Sequence, residues 1–261
     1  MDPAAFVPHA DPAEAAAAAK RISVKVSLAE IRRGNTPLPL SKRERELVTA
    51  LAFRTHPCPV QTLAGVVYPD LSDADARNNV KVYICRLRQR VAPDFILWAD
   101  NGYAFGPQVE VDLAGAQQLV ARITNGEPLF PAEREPALSI ARDLRGEAPE
   151  WIGTRDWFAA LNGSPQRLGR ELALLVGRDA LERDEARVAA RVGRELTYED
   201  PCDEEAWELL IRAQLRSGEP AAALQGFRFY TVTLAREMQA VPSANLRNLV
   251  SEALGNAYLA S

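Results

Sequence analysis

The sequence predicts a mainly α protein in two parts: a small domain mixing strands with three helices, then an all-helical domain. Three observations carry this. Strand-like runs at 22–26, 95–98 and 103–105 all fall before residue 107. Three helical stretches separate the first run from the other two. Beyond residue 111 the chain reads almost wholly as helices joined by short Gly, Pro or Asp links, which favour antiparallel neighbours. A length of 261 residues suits two domains of roughly 100–200 residues each.

Residues 1–20 are Ala-rich, and Asp2, Asp11 and Glu14 precede any Lys or Arg. A secretory leader puts its basic residues first, so this stretch reads as a flexible arm. Ile22–Val26 alternates apolar and polar, the period of a half-buried strand, and a Gly/Asn/Pro turn follows. Ser41-Lys-Arg-Glu44 has capping-box spacing: the hydroxyl serves the amide three residues on, and the carboxylate returns the bond. Leu47, Val48, Leu51 and Ala52 continue that helix until Pro57 and Pro59 close it. A short helix at 61–67 comes next. The third helix spans about 73–91, with Val80, Ile84, Leu87 and Val91 on one stripe. Phe95–Trp98 and Tyr103–Phe105 read as strands joined through Asp100-Asn-Gly102, residue types that tolerate positive φ. Strands, three helices and a closing hairpin are the outline of a winged helix, assigned to 21–106 with a boundary at Gly106-Pro107.

The helical domain is assigned to 111–257. Its expected helices are 112–124, 135–144, 154–161, 165–181, 184–197, 203–217, 219–238 and 243–257. Ala206, Leu209, Leu210, Ala213 and Leu215 lead into Ser217-Gly-Glu-Pro220. Ala222, Ala223, Leu224, Phe227 and Tyr230 follow. That is the arithmetic of a tetratricopeptide-like hairpin, without a clean 34-residue period.

Net charge is −4, unevenly placed. Residues 1–110 hold 14 basic and 12 acidic side chains, and the remainder holds 17 and 23. The acidity therefore sits away from the part expected to meet phosphates. Cys58, Cys85 and Cys202 are odd in number and lack metal spacing, which points to a reducing cytoplasm. No apolar run approaches the ~18 residues of a membrane span. His9 and His56 have no ligand-like neighbours, so neither a metal nor a cofactor is expected. No phosphate loop or activated nucleophile motif supports an enzyme.

The third helix carries the candidate site. Opposite its apolar stripe, at 100° per residue, lie Asn78, Val82, Cys85 and Gln89, flanked by Asn79 and Arg86. Lys81, Arg88 and Arg90 lie on the sides. Arg77 and Tyr83 on the helix, with Asn101 and Tyr103 on the hairpin, complete the set. Amide side chains pair with the adenine edge, guanidinium with guanine, and Val meets a thymine methyl. Flanking Lys and Arg pair with phosphates and set register. Residues 72–91 hold five basic and two acidic side chains. Any amphipathic helix exposes charge, but the setting between a capped helix–turn unit and a hairpin favours a double-stranded DNA surface.

Leu40-Ser-Lys-Arg-Glu-Arg-Glu-Leu47 resembles the opening helix of OmpR-type winged helices. Val80-Lys-Val-Tyr-Ile-Cys-Arg-Leu-Arg88 resembles their recognition helix, and Gly102-Tyr-Ala-Phe105 their wing end. The C-terminal part resembles the bacterial transcriptional activator domain of antibiotic-regulatory-type activators. Pro201-Cys-Asp-Glu-Glu-Ala-Trp207, Leu215-Arg-Ser-Gly218, Ala222-Ala-Leu224, Phe227-Arg-Phe-Tyr230 and Pro242-Ser-Ala-Asn-Leu246 carry that likeness. The resemblance covers about 22–255 and implies a sequence-specific activator that binds direct repeats and contacts RNA polymerase. It places Asn78, Val82, Cys85 and Arg86 at base- or phosphate-contacting positions. Ala99 and Ala104 stand where the family has wing arginines, Asp100 adds a negative charge, and Tyr83 replaces the usual His. Those departures leave a second reading open: an interaction scaffold whose winged helix no longer reads DNA. A helical domain that mediates homodimerisation is a third.

Overall fold

The computed structural model describes residues 21–254, so the arm expected at 1–20 and the end of the last expected helix (255–257) lie outside the described residues. The chain forms two compact units: residues 21–117 with Asp143–Arg167, and Gln118–Arg142 with residues 168–254.

In the first unit, β1 (Ile22–Lys25), β2 (Glu30–Arg33) and β3 (Thr36–Pro37) form an antiparallel meander. Helices α1 (Lys42–Ala52), α2 (Val60–Val67) and α3 (Asp73–Arg90) follow, and the hairpin β4 (Ile96–Ala99)/β5 (Gly102–Phe105) comes next. The chain then adds β6 (Val109–Val111) parallel to β1, giving a sheet of order β3-β2-β1-β6. The expected boundary at Gly106-Pro107 is therefore not where the unit ends. Three residues of extended chain past that proline supply the partner for the open edge of β1, a pairing remote in sequence that leaves no local signature.

The helix starts are where local chemistry puts them. The Ser41 hydroxyl accepts the Glu44 N–H at 3.3 Å, and the Glu44 carboxylate accepts the Ser41 N–H at 2.8 Å. Ser72 caps α3 by accepting the Asp75 N–H at 3.2 Å. Val80, Ile84 and Leu87 are essentially fully buried, as the stripe requires. The hairpin turn differs from the expected Asn-Gly pairing. Ala99 faces Gly102, so the two turn residues are Asp100 and Asn101, both at positive φ. Gly102 is needed for another reason: a Cβ there would lie 2.7 Å from the backbone of Pro57 and Cys58. That closeness lets Cys58 and Tyr103 exchange two 2.8 Å backbone hydrogen bonds, attaching a third chain segment to the hairpin.

Asp112 opens α4 (Asp112–Thr124) and is buried. Its carboxylate accepts the Val26 N–H at 3.1 Å and the Leu113 N–H at 2.8 Å, satisfying the end of β1. Desolvation nonetheless raises its pKa to about 6, against the lowering effect of those bonds and of Lys25. Further along the chain, α6 (Glu150–Gly153) and the start of α7 (Asp156–Glu182) belong to this unit. Ile152 and Phe158 pack with Ala29, Phe53, Trp151 and Trp157, and the Arg45 guanidinium lies 5.0 Å from the Trp151 ring centre.

The second unit is built from the end of α4, most of α5 (Pro131–Arg145), the later part of α7, and α8 (Ala186–Glu199), α9 (Glu204–Arg216), α10 (Pro220–Met238) and α11 (Ala244–Leu254). The two helices expected at 154–161 and 165–181 are one, since α7 runs through Gly163 and Pro165. Proline removes one donor and crowds the preceding turn, a local cost that packing along the rest of a 27-residue helix outweighs. Ala206, Leu209, Leu210, Ala213, Ala223, Phe227 and Tyr230 are buried, the hairpin pattern read from sequence. Gly193 on α8 meets α9 so closely that a Cβ would lie 2.9 Å from the Leu210 backbone. Arg170 pairs bidentately with Asp203, which also caps α9 by accepting the Ala206 N–H. Glu204 accepts both the Tyr230 hydroxyl (3.0 Å) and the Ser243 N–H (2.9 Å), tying α10 to the start of α11.

Gly193→Ala is expected to destabilise the helical unit by about 1–3 kcal/mol, because the new methyl meets backbone that has no room to yield. Urea unfolding followed by circular dichroism measures it. Asp112 gives a pH test. Its folded pKa is raised, so between the ordinary carboxylate value and about pH 6 the folded state holds a proton that the unfolded state releases. The stability this group contributes is present at low pH and lost as pH rises through that window, by on the order of 3 kcal/mol. Asp112→Asn should lack this component in a comparison of urea midpoints at pH 4.5 and 7.

Candidate nucleic-acid interface

Helix α3 turns its aliphatic ridge inward and a polar face outward. Asn78, Lys81, Val82, Cys85, Arg86, Gln89 and Arg90 are exposed, and Arg77, Asn79, Tyr83 and Arg88 are half-buried. The structure thus places Asn78, Arg86 and Gln89 on the exposed side of the helix. The acidic first turn, Asp73 and Asp75, suits the positive end of the helix dipole, and Arg88 and Arg90 suit the last turn.

Not every candidate is free to meet a ligand. Tyr103 is 7% exposed and packs edge-on against Trp98 at 4.9 Å between ring centres. The expected contact role for Tyr103 gives way to a supporting one, because its strand position points it into the hairpin's own packing. The Arg88 Nε donates to the Ile96 carbonyl at 2.7 Å, bracing the start of the hairpin against α3. Arg90 pairs with the buried Glu44 at 3.0 Å, the same carboxylate that closes the α1 capping box. Both are committed in part to holding the fold. Asn101 remains exposed at the hairpin tip beside Asp100. Cys85 is exposed and has only a long contact, 4.0 Å, from the Gln89 amide.

Two features escaped the sequence reading. The first is Trp98, 54% exposed, with Leu97 also exposed beside it. Beside Ala99, a departure from the resembled family, β4 presents apolar surface. The second is a stack at the side of α3. Tyr83 lies on Tyr68 at 6.4 Å with planes 30° apart. The Arg86 guanidinium lies 5.3 Å from the Tyr83 centroid, and that of Arg43 lies 5.4 Å from Tyr68. Burial, chiefly, raises the Tyr68 hydroxyl pKa to about 12, so the stack carries a neutral phenol. Tyr68 lies in the stretch linking α2 to α3, and only the tertiary fold brings it to Tyr83.

Among the described residues no cluster of His, Cys, Asp or Glu suits a metal ion, and no helix is long and apolar enough to cross a membrane. No curated protein matches the chain by sequence. Among solved structures, EmbR of Mycobacterium tuberculosis, in complex with a low-affinity phosphopeptide, matches with a TM-score of 0.62 at 18% identity. The match covers 90% of this chain and 64% of that one, so this chain spans less than two thirds of its length. At that identity the likeness is one of fold. Residues 131–254 match the bacterial transcriptional activator domain. That match takes in the C-terminal part of the chain, behind the winged helix.

Proposed function

We propose that this chain is a transcription regulator of the antibiotic-regulatory type that binds double-stranded DNA in a sequence-specific way, with α3 in the major groove, and acts as an activator that engages RNA polymerase. One observation carries the reading: a helix with a buried aliphatic ridge presents Asn78, Lys81, Val82, Arg86 and Gln89 together on its solvent side. In this reading Asn78 and Gln89 address adenine edges, Arg86 a guanine, and Val82 a thymine methyl. Asn79, Tyr83 and Cys85 line the same contact, while Arg77 and Lys81, with what Arg88 and Arg90 have to spare, hold phosphates. Asn101 meets the adjoining backbone.

A second reading is favoured by the wing. Ala99, Asp100 and Ala104 leave it without cationic reach, and Trp98 and Leu97 give it an apolar surface. A scaffold that contacts a protein through this hairpin would look the same. The family resemblance and the cationic face of α3 both weigh towards DNA.

Selection of duplexes from a random pool, followed by titration of the winner, separates the two. Enrichment of one motif is expected, and a failure to enrich any sequence sinks the DNA reading. Arg86→Ala should cost about 1–3 kcal/mol against the selected duplex and relax preference at one base pair. Lys81→Ala should weaken all duplexes alike and reduce the slope of log affinity against log salt by about one.

A further inference from the structure

Arg86 stands at the end of a continuous column of side chains inside the first unit. Tyr83 and Tyr68 connect it to Arg43 through the ring contacts described above. The Arg43 Nη1 donates to the Glu46 Oε2 at 2.8 Å. Glu46 is 2% exposed, and it takes a second cation: the Arg155 Nε lies 3.0 Å from its Oε1. Arg155 directly precedes α7, whose residues from Leu168 onward count with the second unit.

A carboxylate removed from water depends on its partners, and two guanidiniums share the Glu46 Oε2, the Arg43 Nη1 donating at 2.8 Å and the Arg155 Nη2 at 3.4 Å. Changing one partner alters how the other is held. Arg43 is fixed at one end by that carboxylate and by the Val67 carbonyl, which its Nη1 reaches at 3.2 Å. The two rings lie 6.4 Å apart between centres with planes 30° apart, and Tyr83 in turn faces the Arg86 guanidinium.

We propose that Glu46 and Arg155 are positioning residues for base recognition, setting through Arg43, Tyr68 and Tyr83 the direction in which Arg86 is presented to DNA. The inference rests on the major-groove reading of α3. It gives the segment at the start of α7 a route into specificity that touches no DNA itself.

The test is a double-mutant cycle on the full chain with the duplex it selects. Arg155→Met is expected to weaken binding about threefold to tenfold. It should also relax preference at the same base pair that Arg86→Ala relaxes. Arg155→Lys, which keeps the charge beside Glu46, should restore both. In the Arg86→Ala background, Arg155→Met should change affinity by no more than about twofold. Equal losses in both backgrounds, or relaxation at an unrelated base pair, overturn the proposal. If Arg155→Met fails to fold, Tyr68→Leu set against Tyr68→Phe makes the same test within the column. The leucine should be coupled to Arg86→Ala and the phenylalanine silent; additivity of the leucine overturns the proposal. A wild-type protein that selects no duplex at all overturns the major-groove reading and this inference with it. A protein that selects a duplex but shows no coupling overturns this inference alone.

Discussion

The burial of Val80, Ile84 and Leu87 decides which way α3 faces, and every property of the candidate site depends on that orientation. Each of these side chains is worth about 1.5–3 kcal/mol when taken fully out of water. Rotating the helix by half a turn would expose all three and bury amides and guanidiniums without partners, at a further cost for each. No single polar contact on the outer face competes with that sum. The hydrophobic ridge therefore selects the exposed face of α3 indirectly, by making every other rotation of the helix expensive. Arg88, bonded to the Ile96 carbonyl, and Arg90, paired with Glu44, then pin the C-terminal half of the helix to the hairpin and to α1.

Charge is distributed to suit this arrangement. The chain as a whole is acidic, yet the outward face of α3 is cationic and its acidic residues sit in the first turn, where the dipole stabilises them. In the second unit many acidic groups are spent on internal ion pairs. Arg134 pairs with Asp179 and Glu185, and Arg170 and Arg178 pair with Glu205. The acidic pI describes the helical unit more than the outward face of α3.

The division into units also bears on how a signal would travel. The activator-domain match begins at residue 131, but Asp143–Arg167 belongs with the winged helix, anchored by Ile152, Phe158, Trp151 and Trp157 and by the ion pair of Arg155 with Glu46. The family segment thus reaches into the unit that carries α3. Packed side chains and ion pairs within that one unit join residues of the activator-domain segment to the helix that bears Arg86.

Residue order alone settled much of this protein. The capping box at Ser41, the buried stripe of α3, its polar face and the Ala-rich hairpin around Gly218 are local patterns with fixed periods, and local geometry is what period and caps encode. Arg86 and Asn78 are legible in the same way, because their offset from the stripe fixes them on the outer face of any helix that buries it. Long-range contact decided the rest. Nothing near Val109 announces that it will pair with Ile22, and nothing near Pro165 announces that α7 will run through it. Tyr103 alternates correctly for a strand, but which face of a two-stranded hairpin is covered depends on the segment around Cys58 arriving from elsewhere. Likewise the column from Arg155 to Arg86 joins residues 155, 46, 43, 68, 83 and 86, and only a folded chain can bring them into one line. Short-range propensity writes the elements; burial of surfaces distant in sequence chooses their partners.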